Sequence, residues 1–126
     1  MTLSSAENKQ LIGRYLQALS GQTKTPELIA RFVSDSGLAA HIQQVEDAFP
    51  GYELIADDLI AERDMVALRG KFSGIHRGPF AGIEPTGRSV SAPLMIVYRI
   101  EGGRIAEHWL QFDAAGLAQQ LTTTAG

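Results

Sequence analysis

Residues 88–113 read RSVSAPLMIVYRIEGGRIAEHWLQFD. Two long runs rich in β-branched and aromatic residues flank Gly102-Gly103, and a glycine pair tolerates the positive φ of a tight hairpin turn. The stretch predicts a strand over 88–100, a turn, and a last strand over 104–113. Side chains alternate between the faces of a strand. One face of the last strand then carries Ile105, Glu107, Trp109, Gln111 and Asp113, and the other Ala106, His108, Leu110 and Phe112. The second set has the composition of ordinary core with one His. The first sets carboxylates, an amide and the only Trp along one line. An apolar wall with a few convergent polar groups is how small-molecule pockets are built, so this first face is expected to look into the fold.

Outward from the hairpin, residues 52–62 and 65–76 suit two more strands joined at Arg63-Asp64. Between them and the hairpin, residues 77–87 (RGPFAGIEPTG) hold three Gly and two Pro and read as a loop. Ala114–Gln120 reads as a short closing helix. The first third has helical period. Ser4 and Glu7 form a capping box, and Leu11, Ile12, Tyr15, Leu16 and Leu19 follow on one face up to Gly21. Thr25-Pro26 starts a second helix, with Leu28, Ile29, Phe32 and Val33 apolar. A third follows Asp35 or Ser36, with Leu38, Ile42, Val45 and Phe49 inward, and Pro50-Gly51 ends it. Helices segregated from antiparallel strands give an α+β fold: N-terminal helices packed on a bent sheet, leaving a cone open at one end.

The 126 residues fit one domain, 1–126. There is no cysteine, which excludes disulfides, thiolate metal sites and a cysteine nucleophile. A net charge of −3 with no basic run excludes the footprint of a nucleic-acid binder. The N-terminus MTLSSAENKQ does not read as a signal peptide. No apolar run approaches the ~20 residues of a membrane span. The expected location is the cytoplasm.

Asp113 is the candidate acid–base residue. A carboxylate held beside Trp109 and Phe112, away from water, has a raised pKa and can exchange protons with carbon or oxygen near neutrality. Equally, Asp113 stands where an N-cap of the closing helix would stand. His76 could line the pocket mouth or lie in solvent, His108 reads as core or interface, and His41 as half-exposed on the third helix. Their spacing forms no metal-ligand pair, so no metal is expected. Arg99 could bind an anionic oxygen on a pocket wall or pair with Glu101 in solvent. Tyr15, Phe49, Tyr52, Phe72 and Phe80 are wall or core.

Five segments, in order, resemble the SnoaL-like polyketide cyclase family, also called ester cyclases. They are AFP at 48–50, AERD at 61–64, GIHRGPFAGIEPTGR at 74–88, YRIEGGRIAEHW at 98–109 and FDAAGLAQQL at 112–121. The resemblance implies the cystatin-like, nuclear-transport-factor-type cone shared with ketosteroid isomerases and scytalone dehydratase. It implies a homodimer formed by the sheet face away from the pocket, and catalysis without metal or organic cofactor. In the family's cyclases an Asp serves as acid and base in an aldol ring closure, and it matches Asp113; where they have a partnering His, this chain has Tyr98 or Arg99. The expected ligand is a small, largely apolar molecule with carbonyls. Asp113 would move its proton, Trp109, Gln111, Tyr98 and His76 would shape the pocket, and Phe49 and Tyr15 would wall it. The competing expectation is a non-catalytic binding protein with the same cone.

Overall fold

A computed structural model describes residues 4–122. Three helices come first: α1 (Ser5–Leu19), α2 (Pro26–Phe32) and α3 (Ser36–Ala48). Four strands follow: β1 (Glu53–Glu62), β2 (Met65–Ile75), β3 (Ser89–Glu101) and β4 (Arg104–Phe112). Helix α4 (Ala114–Thr122) closes the chain. The helix starts follow their local chemistry. Ser4 and Glu7 bond reciprocally as a capping box, Thr25 caps α2 ahead of Pro26, and the Asp35 carboxylate accepts from the amides of Gly37 and Leu38 at the head of α3.

The strands form one antiparallel meander in the order β1-β2-β3-β4. Gly102 and Gly103 both take positive φ in the last hairpin, as a two-residue turn requires. Two irregularities bend the sheet. One lies at Ala56/Asp58, which explains the Asp57-Asp58 break in a strand otherwise rich in apolar residues. The other lies at Arg99/Ile100, where Ile100 pairs with Ile105 and Arg99 with Glu107. The buried face of β3 carries Val90, Ala92, Leu94, Ile96, Tyr98 and Ile100. Helix α1 lies against β1 and β2 and buries Leu11, Ile12, Tyr15, Leu16 and Leu19.

Two contacts fix where the functional groups fall. The segment leading into α3 runs parallel to β4: Val33 bridges Ile105, and the amides of Ser34 and Asp35 both donate to the Ile105 carbonyl at 2.9 and 3.1 Å. Asp35 is thereby tethered to the strand that carries His108. Helix α4 continues the sheet edge beyond the end of β4. The Gln120 side-chain amide donates to Ser91 O at 2.7 Å and accepts from Ser91 N at 3.2 Å, as a neighbouring strand would. Among the described residues no helix is long and apolar enough to cross a membrane.

Candidate functional site

Between α1, α3 and the concave side of the sheet lies an apolar cavity of about 80 Å³. Helical spacing puts Leu38, His41, Ile42 and Val45 on the face of α3 that lines it, while the sheet contributes Tyr98, His108 and Leu110. Phe80, Phe112 and Leu117 complete it from the 76–88 loop, the end of β4 and α4. Phe112 is partly exposed.

Among the polar side chains that line this cavity, His108 is paired with an aspartate. His108 Nδ1 lies 2.8 Å from Asp35 Oδ2. The other Asp35 oxygen accepts the Gly37 and Leu38 amides at 2.9 and 3.2 Å. Burial alone would raise the Asp35 pKa, but the hydrogen bonds from His108 and these amides outweigh it and hold the carboxyl below its ordinary value. An ionised carboxylate only accepts, so Nδ1 carries the proton, and whenever the ring is neutral its lone pair is on Nε2. His41 joins His108 in the cavity wall. Burial, and then the neighbouring His108, lower its pKa.

The face assignment of β4 is the main correction. Trp109 is 50 % exposed and Gln111 is exposed, both on the outer side of the sheet, and His108, Leu110 and Phe112 turn inward. The reason is the irregularity at the start of β4: between Ile105 and Glu107, Ala106 has no partner on β3. It shifts the alternation, so that Ile105 and His108 are both inward although they differ by three. Asp113 lies beyond the end of the strand, exposed. Its Oδ1 accepts the Gly116 amide at 2.8 Å and its carbonyl accepts the Leu117 amide at 3.0 Å, the geometry of a helix cap.

Of the other expected residues, Tyr15, Phe49 and Tyr98 stand in the cavity wall. His76 is wholly buried behind Phe49, with ring centroids 5.4 Å apart, and Thr86 bonds its Nδ1 from both hydroxyl and amide. It pins the loop and does not line the cavity. Arg99 pairs with Glu107 and Glu101 on the outer face. Asp35 and His41 are the residues that sequence reading did not assemble. Asp35 was visible only as a helix start, and nothing local announces that it meets a side chain 73 positions away. The described residues contain no cluster of three or more His, Asp or Glu fit to hold a metal ion.

A family model described as SnoaL-like polyketide cyclase matches residues 9–121. Among solved structures, TsrD from Streptomyces laurentii is similar at 30% identity, with 95% of this chain and 98% of that chain covered and a TM-score of 0.79. AclR from Streptomyces galilaeus, a proposed hydroxylase, is similar at 28% identity over 94% of this chain and 82% of its own, with a TM-score of 0.80. A SnoaL-like polyketide cyclase from Agrobacterium tumefaciens shares the fold at 21% identity, covering 90% and 97% of the two chains, with a TM-score of 0.73. No curated protein matches the sequence.

Proposed function

This chain belongs to the SnoaL-like polyketide cyclase family, and from that premise we propose that it binds a small, largely apolar carbonyl compound and moves a proton on it, with His108 as the acid–base group. The observation that carries this reading is the 2.8 Å contact of Asp35 Oδ2 with Nδ1 of His108, a residue that lines the apolar cavity. Asp35 orients the ring and stabilises the imidazolium that forms when Nε2 takes a proton. Proton removal next to a carbonyl starts ring closure, isomerisation or dehydration alike, and none of these needs a redox partner. Asp113 is assigned to capping α4, because its carboxylate is exposed and already holds the Gly116 amide.

Ligand sites commonly enclose roughly 300–1,000 Å³, and this cavity is narrower. A ligand of that size therefore needs lining rings such as the partly exposed Phe112 to turn aside. The same narrowness favours a second reading, a binding protein without turnover. Exchange of the methyl protons of acetophenone in D₂O, followed by NMR, separates the two. An enzyme accelerates the exchange and loses about 100-fold or more of that rate in His108→Gln. A binder gives no acceleration in either protein.

The partner we propose is a second copy of the chain, seated on the outer face of the sheet. A row of Ile60, Ala67, Val97 and Trp109 crosses all four strands there, next to Met95. Ile60 is 68 % and Met95 58 % exposed. Beside the row run the Asp58–Arg69 and Arg99–Glu107 ion pairs. A patch carrying both charges beside an apolar stripe is suited to meet itself across a two-fold axis.

A further inference from the structure

Tyr98 is the largest fully buried side chain of the described residues. It stands on β3 directly opposite His108 on β4, and both side chains line the cavity. Its hydroxyl makes no hydrogen bond. A buried hydroxyl without a partner weakens a fold, and phenylalanine would fill the same space without that penalty. The Tyr15 ring meets the Tyr98 ring edge-on at 5.8 Å, and the Tyr15 hydroxyl lies near enough to act on the Tyr98 hydroxyl as a hydrogen-bonding neighbour, yet the two fall short of hydrogen-bond geometry. Burial pushes both phenols well above their ordinary pKa, so each keeps its proton and can only be an uncharged donor or acceptor.

We propose that the Tyr98 hydroxyl is the donor to a ligand carbonyl oxygen, so that the site selects small apolar ketones or esters whose oxygen rests on Tyr98 and whose α-carbon faces His108. This rests on the reading of His108 as the acid–base group. The proton balance closes within the site. His108 Nε2 takes the α-proton, the C–H pair becomes the new C=C bond, and the carbonyl π pair moves onto the oxygen held by Tyr98. A neutral phenol there stabilises the developing negative charge as a preorganised donor does. The imidazolium then returns the proton to carbon or to oxygen. Where the ligand carries a second carbonyl, the enolate carbon attacks it and the new alkoxide takes the proton.

Acetophenone and α-methylstyrene test this, because they share a shape and differ by an oxygen against a methylene. Affinities are read by ligand-observed NMR, and the carbonyl stretch of ¹³C-labelled acetophenone by infrared spectroscopy. In the unaltered protein the bound stretch moves to lower frequency than in hexane. Tyr98→Phe abolishes that shift and weakens acetophenone about tenfold, the size of one net hydrogen bond. The variant leaves α-methylstyrene binding unchanged and does not lower the melting temperature. Should the variant fail to fold, an unshifted stretch in the unaltered protein alone overturns the proposal. Equal acetophenone affinity and equal frequency in both proteins also overturn it, while the apolar site stands if α-methylstyrene still binds. Binding of neither probe overturns the ligand site and the Tyr98 assignment together. His108→Gln keeps the carbonyl shift, so loss of proton exchange with the shift intact bears on His108, not on Tyr98.

Discussion

At the scale of single residues the site depends on groups whose ionisation differs from that in water. His41 is the measurable case. Its pKa in the fold lies below the ordinary 6.5, first because of burial and then because of His108. The unfolded chain therefore binds that proton more readily than the folded one does. His41 costs the fold nothing above about pH 7, and stability falls as pH drops through 6.5 towards the lowered value, then levels off. His41→Gln should remove that part of the decline in urea unfolding measured from pH 7.5 to 5; parallel curves for the two proteins would contradict the assignment. Asp35 follows the usual carboxylate sign: the stability that its lowered pKa reflects is present above the ordinary carboxylate range and is lost only in stronger acid. Neither behaviour was legible in the sequence. A lone Asp before a helix and a His on an amphipathic face show their types and not their neighbours.

At the scale of elements the sequence was informative wherever the cause is local. The capping box at Ser4, Thr25-Pro26, Asp35 before α3 and the Gly102-Gly103 turn each act within a few residues, and the helices and strands begin and end close to where these signals stand. What could not be read was which face of β4 turns inward. Alternation alone treats 104–113 as one unbroken strand, and the unpartnered Ala106 resets it. The composition of the two faces then misleads, because a Trp and a Gln on an outer surface look like a pocket wall. The buried Lys24 is a second feature set by distant partners. It donates to Glu46, Gln22 O and Tyr52 O and lies 4.0 Å from the Tyr52 ring, joining the α1–α2 connection to α3 and the start of β1. Lys24→Met leaves the Glu46 carboxylate, largely buried, with only the Gly51 amide. It should cost about 3 kcal/mol in chemical denaturation, and a change below about 0.5 kcal/mol, the range of neutral surface substitutions, would show that the clamp adds nothing. Gly78 is a third: a Cβ there would strike the Asp47 carbonyl, so the loop that carries Phe80 can lie against the end of α3 only with glycine at this position.

At the scale of the whole molecule, one sheet serves two purposes. Its concave side holds the cavity, and its outer side carries the row from Ile60 to Trp109 that we assign to a second copy. Trp109→Glu should convert a dimer into a monomer in light scattering, because it buries a charge within the patch. It should leave the cavity intact, since Trp109 points away from it; an unchanged mass would place any partner elsewhere. On the proposed function, proton transfer belongs to His108 and not to Asp113. The most direct test is the rate of deuterium incorporation into the methyl group of acetophenone, measured by NMR for the unaltered protein, His108→Gln and Asp113→Asn under identical conditions. The unaltered protein should accelerate exchange, His108→Gln should lose about 100-fold or more of that rate, and Asp113→Asn, whose carboxamide oxygen can still cap α4, should stay within about twofold. Retained exchange in His108→Gln, with exchange abolished in a folded Asp113→Asn, would contradict the assignment to His108.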